Sequence, residues 1–62
     1  MTFSDLINKI QAEAFLEVLD ENSYLLQDGI NGETIWEDRL LARKIYLIVP
    51  GISTKILLLE RS

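Results

Sequence analysis

The chain has 62 residues, which limits it to one small domain, residues 1–62. Its composition, with 48% hydrophobic and 26% charged residues, is that of a folded protein. It contains neither cysteine nor histidine, which excludes disulfides, the commonest zinc ligands and a histidine general base. A core this small seldom supplies more than about 3–5 kcal/mol. A well-packed monomer core or association with another chain must therefore stabilise the fold.

Charge is distributed unevenly along the chain, whose formal net charge is −4. Residues 1–38 carry nine acids and one base, whereas residues 39–62 carry five bases and one acid. The five bases are Arg39, Arg43, Lys44, Lys55 and Arg61. Either the two halves pair within one fold, or the asymmetry orients subunits or offers a basic face to an acidic partner.

The first segment predicts an amphipathic helix over about residues 3–20. Thr2 or Ser4 can cap it, and Asp5 places a negative charge where the helix dipole favours one. Apolar residues recur at spacings of three and four, which places them on one face of a helix. These residues are Phe3, Leu6, Ile7, Ile10, Ala14, Phe15, Val18 and Leu19.

Hairpin signals dominate the next segment. Asp28-Gly29 and Asn31-Gly32 are both typical of two-residue hairpin turns. A hairpin is therefore predicted over about residues 24–37, and its register stays open because either dipeptide can hold the turn.

Residues 34–44 fit two structures. Thr34 and Glu37 match a capping box, which favours a short helix, but no glycine or proline separates such a helix from the strand that follows. We favour a strand over residues 33–37 and a bend near Asp38-Arg39.

The C-terminal segment predicts a second hairpin over about residues 44–60, with Pro50-Gly51 at the turn. Neither strand alternates between apolar and polar residues, so both faces of this hairpin are apolar. The predicted helix, about 27 Å long, covers one face of a small sheet but not both. The second face needs another cover, because large exposed apolar patches are uncommon on soluble monomers. Residues 35–44 supply it if they are helical, and otherwise a second copy or a different protein must.

No residue pattern points to catalysis, a metal or a cofactor. The serines and threonines have no histidine or cysteine that could activate them. The calcium-binding EF-hand spacing is not met from Asp20 onward, because Tyr24 occupies a ligand position. We expect no enzyme, no catalytic residue, no metal site and no cofactor.

Together these patterns predict an α+β fold, with an N-terminal amphipathic helix packed on a small antiparallel sheet of three or four strands. The leading hypothesis is a non-enzymatic protein–protein interaction module, acting as an adaptor, assembly factor or small inhibitor. It would form a homo-oligomer or bind a protein partner through the second face of the last hairpin. The expected interface residues are Trp36, Tyr46, Ile48, Leu57 and Leu59. For Trp36 two readings stay open, since a single tryptophan in so short a chain is most often a core residue, and an anchor at an interface is the second choice.

The alternative hypothesis is a nucleic-acid-associated regulator that uses Arg39, Arg43, Lys44 and Lys55 as a basic patch, although the net acidic charge disfavours it. A further hypothesis is that the chain is an acidic protein that mimics nucleic acid. The longest apolar run, residues 45–49, is too short for a membrane helix, so we expect no membrane contact. The absence of cysteine favours a cytoplasmic location.

Overall fold

The computed structural model describes residues 1–60 and places them in two short helices and one four-stranded sheet. In chain order the elements are α1 (Phe3–Ile7), β1 (Phe15–Leu19), β2 (Leu25–Ile30), α2 (Asp38–Leu41), β3 (Ile45–Val49) and β4 (Thr54–Leu58). The strand order is β2-β1-β4-β3. The pairs β1–β2 and β3–β4 are antiparallel, whereas β1–β4 is parallel. The expected α+β fold with a small sheet is confirmed, and the sheet is mixed rather than purely antiparallel.

The N-terminal helix begins where predicted but is much shorter. The Oγ1 of Thr2 accepts a hydrogen bond from the main-chain nitrogen of Asp5, and the Asp5 carboxylate accepts one from the main-chain nitrogen of Thr2, forming a capping box. The helix then ends at Ile7, so its predicted extent to residue 20 is wrong. No helix in the described part of the chain is long and apolar enough to cross a membrane.

An asparagine side chain holds the segment that leaves α1. The Nδ2 of Asn31 donates to the main-chain oxygens of Ile7 at 2.9 Å and Ile10 at 3.2 Å. Carbonyls at a helix end have no partner within the helix, and this amide supplies one. The main-chain nitrogen of Asn31 also donates to the oxygen of Ala14. The same residue therefore positions the end of the helical region and the start of β1.

Residues 15–19 form the strand β1 because they alternate and have partners on both sides. Leu16 and Val18 are fully buried, and Glu17 between them is not. The apolar positions also match a helical period, but in the sheet β1 pairs with β2 on one side and β4 on the other. This pairing satisfies the main-chain groups of β1, and the tertiary context overrides the helical pattern.

The first hairpin joins β1 to β2 and therefore precedes the predicted one at residues 24–37. Its turn is built by Asp20, whose Oδ1 accepts hydrogen bonds from the main-chain nitrogens of Asn22 at 2.8 Å and Tyr24 at 2.9 Å. Aspartate commonly stabilises turns in this way. Neither glycine dipeptide forms the turn of this hairpin.

Both dipeptides have other structural roles. Asp28-Gly29 lies within β2, and a Cβ on Gly29 would collide with the side chain of Thr34. Gly29 therefore permits the close approach of the loop that follows β2. Asn31-Gly32 belongs to that loop, where the Oγ1 of Thr34 donates to the oxygen of Ile30 at 2.7 Å.

The ambiguous residues 34–44 contain a single helical turn. Residues 34–37 have no regular structure, so the expected strand over 33–37 is wrong, and α2 occupies the position of the expected bend. Glu37 is the N-cap residue of α2 and makes no capping hydrogen bond with its side chain. The predicted second hairpin is confirmed as β3–β4.

The hydrophobic core lies on one face of the sheet. Both helices, the segment before α2 and the strands β1 and β4 contribute to it. Its buried residues are Phe3, Leu6, Leu16, Val18, Trp36, Leu40, Ile56 and Leu58. The two helices therefore cover the same face of the sheet.

The Asn31 amide provides a first test of this architecture. Replacing Asn31 with alanine leaves the carbonyls of Ile7 and Ile10 without their donor, and we expect a loss of about 1–3 kcal/mol in the free energy of unfolding. Urea denaturation measures this loss. The control Asn22→Ala removes an exposed amide from the β1–β2 turn and should change stability by less than about 0.5 kcal/mol. Equal effects of the two variants would contradict the role of Asn31.

The capping box predicts a pH dependence. The hydrogen bonds with Thr2, chiefly the one from its main-chain nitrogen, hold the pKa of Asp5 below its usual value of 3.8. A carboxyl group whose pKa falls on folding stabilises the fold above the unfolded pKa, and this contribution is lost as pH falls through the folded pKa. We expect Asp5→Asn to lower the melting temperature at neutral pH, with the difference shrinking in acid. An NMR titration placing the pKa of Asp5 at or above its usual value would contradict the cap.

Candidate functional site

A row of four leucines crosses the face of the sheet opposite the core. Strand pairing places Leu19 beside Leu25 and Leu57, and Leu57 beside Leu47. The row therefore runs from β2 to β3 in the order Leu25, Leu19, Leu57 and Leu47, and spans about 14 Å at the usual strand spacing. Leu25 and Leu47 are 54% and 49% exposed, whereas the two inner leucines are nearly buried. These four residues are called the leucine row below.

The leucine row points away from both helices because its sequence neighbours point toward them. Val18, which precedes Leu19, belongs to the core, as do Ile56 and Leu58 on either side of Leu57. Successive residues of a strand point to opposite faces. Leu19 and Leu57 therefore lie at the centre of the face that the helices leave uncovered.

A second row, two residues further along the strands, is charged at its centre. Glu17 lies beside Asp28 and Lys55, and Lys55 lies beside Val49. The Nζ of Lys55 is 4.0 Å from the Oε1 of Glu17, which also accepts a hydrogen bond from the Oγ of Ser53. The side chains of Lys55 and Glu17 are 49% and 29% exposed. Such an exposed pair adds little to the stability of one chain.

Apolar surface continues beyond the charged residues. Phe15 in β1 pairs with Ile30 in β2, and Phe15 and Val49 are both about 40% exposed. The leucine row, the row Asp28, Glu17, Lys55 and Val49, and the pair Phe15 and Ile30 together form what is called the uncovered face below. Several exposed apolar side chains on one face, together with a few charges, are typical of a protein interaction site.

The predicted interface residues of the last hairpin do not share one face. Leu57 belongs to the leucine row, and Leu59 is half-buried just after β4. Ile48 pairs with Ile56, a core residue, so Ile48 lies at the edge of the helix-covered side. The grouping of Ile48 with Leu57 is therefore wrong.

An irregularity in β3 sets this arrangement. The register between β3 and β4 shifts between Ile45 and Leu47, and Tyr46 lies at the shift with its side chain 59% exposed. The bulge lets Ile45 pack against the core while Leu47 joins Leu57 on the uncovered face. A one-residue shift of this kind changes the face on which every following side chain lies.

Trp36, the fifth predicted interface residue, lies in the core. It is 6% exposed and packs edge-to-face on Phe3, with ring centroids 5.3 Å apart. Its Nε1 donates to the main-chain oxygen of Asn31 at 3.3 Å. Within one chain, Trp36 therefore fixes the loop between β2 and α2 onto α1 and is not presented on the surface.

Two members of the predicted basic patch lie on opposite sides of the sheet. Arg39 belongs to α2, on the helix-covered side, where its Nε is 3.4 Å from a carboxylate oxygen of Glu37. Lys55 lies on the uncovered face beside Glu17. Each therefore has an acidic neighbour of its own.

The other two members follow α2. The Nε of Arg43 donates to the main-chain oxygen of Leu59 at 2.6 Å, which ties the end of β4 to the segment before β3. Lys44 is exposed, and its main chain forms a bridge with Thr2. Arg61, the remaining base of the C-terminal half, lies outside the described residues.

Two shallow clefts, of about 230 and 220 Å³, occur in the described part of the molecule. The larger is lined by Asp20, Glu21, Asn22, Leu26, Arg43 and Glu60. Neither cleft places a serine or threonine beside a base. Within residues 1–60 no three acidic side chains are grouped closely enough to hold a metal ion.

Three residues of the leucine row were missed by the sequence interpretation. Leu19 was assigned to the predicted helix and Leu25 to the misplaced hairpin, while Leu47 was assigned to the face opposite Leu57. The sequence did contain one signal for a strand. Residues 15–19 read Phe-Leu-Glu-Val-Leu, and in a strand Leu16 and Val18 point to one face while Glu17 points to the other, away from the core.

The position of Trp36 predicts its fluorescence. Because this single tryptophan is buried within one chain, we expect a blue-shifted emission maximum that moves to the red only on unfolding. Dilution that dissociates an oligomer should leave the maximum unchanged. A red shift on dilution, with circular dichroism unchanged, would instead make Trp36 an interface residue.

Comparisons of the chain with protein-family models, with curated proteins and with solved structures found no match.

Proposed function

We propose that this chain is a non-enzymatic protein–protein interaction module that self-associates through the uncovered face of its sheet. The observation that supports the proposal is the leucine row, which crosses all four strands on the face that neither helix covers. Such a protein acts as an adaptor, an assembly factor or a small inhibitor, and we place it in the cytoplasm, in keeping with its lack of cysteine.

Burial of the two half-exposed leucines would stabilise a dimer. Leu25 and Leu47 retain about half of their accessible surface, and burying the whole of a leucine side chain contributes roughly 1.5–3 kcal/mol. In a symmetric dimer every such contact occurs twice. Covering these two leucines therefore adds several kcal/mol, which is comparable to the whole stability expected of a core this small.

The chemistry of the face also favours a protein as its partner. The centre of the face is apolar and carries one ion pair, Glu17 with Lys55, whereas a phosphate backbone is bound by clustered cations. Arg39 and Lys55 point to different sides of the sheet, which divides the predicted basic patch. The uncovered face is therefore a better candidate binding surface than the basic residues.

Light scattering after gel filtration tests the proposal. We expect the wild-type chain to have the mass of at least two copies, and Leu47→Lys or Leu25→Lys to weaken self-association by at least about tenfold, because each charge would have to be buried in the interface. The matched control is Ile52→Lys, since Ile52 is fully exposed in the turn between β3 and β4, outside the uncovered face.

Circular dichroism on each variant separates loss of assembly from loss of fold. A wild-type chain that stays a folded monomer at all concentrations would contradict the self-association. A reduction by Ile52→Lys as large as that by Leu47→Lys would place the contact elsewhere on the molecule.

A further inference from the structure

This inference rests on the self-association proposed above. We propose that the partner is a second copy of this chain, related by a two-fold axis that lies between the two sheets. The axis runs parallel to the strands and follows the midline between β1 and β4. The two sheets then pack face to face through their uncovered faces. This arrangement is inferred from the order of the residues in the two rows that cross the sheet.

The leucine row is symmetric about this midline. From β2 to β3 it reads Leu25, Leu19, Leu57 and Leu47, with two leucines on each side of the boundary between β1 and β4. A two-fold rotation about the midline places Leu19 over Leu57 of the second copy and Leu25 over Leu47 of the second copy. Every leucine therefore faces another leucine.

The two central residues of the second row are antisymmetric in charge about the same midline, whereas its outer residues, Asp28 and Val49, are not a charge pair. Glu17 lies on the β1 side and Lys55 on the β4 side, 4.0 Å apart. The rotation that superimposes the leucine rows places Glu17 over Lys55 of the second copy, and Lys55 over Glu17 of the second copy. An isologous interface requires this self-complementarity, and the four charges then alternate in sign.

The distances allow the contact. Two sheets packed face to face lie about 10 Å apart with their strands roughly aligned. A glutamate and a lysine that extend toward each other together span this gap. Because Glu17 and Lys55 are both partly exposed, their side chains are accessible to a second copy without rearrangement of the sheet.

Other ways of joining two copies do not use these charges. An axis perpendicular to the strands through the leucine row also superimposes leucines, but it carries Glu17 and Lys55 away from their counterparts. Side-by-side pairing through the edge strand β3 leaves both charges in the middle of each sheet, outside the interface. The response to charge reversal therefore identifies the arrangement.

The experiment uses reciprocal charge reversal at low ionic strength, where screening is weakest. In a dimer of Glu17→Lys, the new lysine of each copy faces Lys55 of the other. In a dimer of Lys55→Glu, the new glutamate of each copy faces Glu17 of the other. We therefore expect each variant alone to self-associate at least about tenfold more weakly than the wild type. An equimolar mixture of the two variants restores opposite charges at both contacts. We expect sedimentation equilibrium to show two-chain complexes in the mixture at concentrations where each variant alone is monomeric.

The design separates assembly from folding. In the mixture, the ion pair between positions 17 and 55 within each chain stays broken. Restored association therefore cannot come from restored folding. The double variant Glu17→Lys with Lys55→Glu reverses both charges together and should self-associate like the wild type. Glu13→Lys and Lys9→Glu make the same changes in net charge at exposed positions outside the uncovered face and should leave association unchanged.

Three results would overturn the inference, and they differ in whether the proposed self-association survives. If the wild type and both single variants associate equally, the two-fold arrangement is wrong while self-association through the leucine row survives. The same holds if the single variants are monomeric and their mixture is too. A monomeric wild type would remove the proposed function together with this arrangement.

Discussion

The parallel pairing of β1 with β4 joins two separate hairpins into one sheet, and every other feature of the fold depends on it. Val18 lies beside Ile56 and Leu19 beside Leu57 across this pair, nearly forty residues apart in sequence. A two-stranded hairpin is marginal by itself in water, and closing so long a loop costs conformational entropy. The fully buried residues Leu16, Val18, Ile56 and Leu58 on the central strands offset that cost, since burial of their side chains is the main favourable contribution to folding.

Both helices are short and lie on the same face of the sheet, which explains why the uncovered face is partly exposed. One turn of α1 and one turn of α2 place Phe3, Leu6 and Leu40 over the same face of the sheet. The rest of the described residues form strands, turns and the loops beside α1 and α2. Because both helices lie on one face of the sheet, the other face stays half exposed, and a second copy can cover it.

Asn31 and Trp36 hold together the irregular segments on the covered face. The Asn31 amide donates to the main chain after α1, while its own carbonyl accepts from the Trp36 ring. Trp36 in turn packs on Phe3. The segment after α1 and the loop between β2 and α2 are thereby fixed to each other and to α1, through groups that would otherwise lose hydrogen bonds on burial. In the sequence Asn31 was interpreted as a turn residue, and Trp36 either as a core residue or as an interface anchor, because local patterns do not show these long-range partners.

The sequence was enough to predict the α+β class, a helix that starts at Thr2 or Ser4, the C-terminal hairpin and the apolar residues on both of its faces, because each depends on residues close together in the chain. Tertiary structure alone decided that residues 15–19 are a strand, since their apolar spacing suits a helix equally well and only the pairing with β2 and β4 distinguishes the two. It also decided which leucines face outward. That choice depends on strand register, and the shift at Tyr46 changes the face of every residue that follows it in β3.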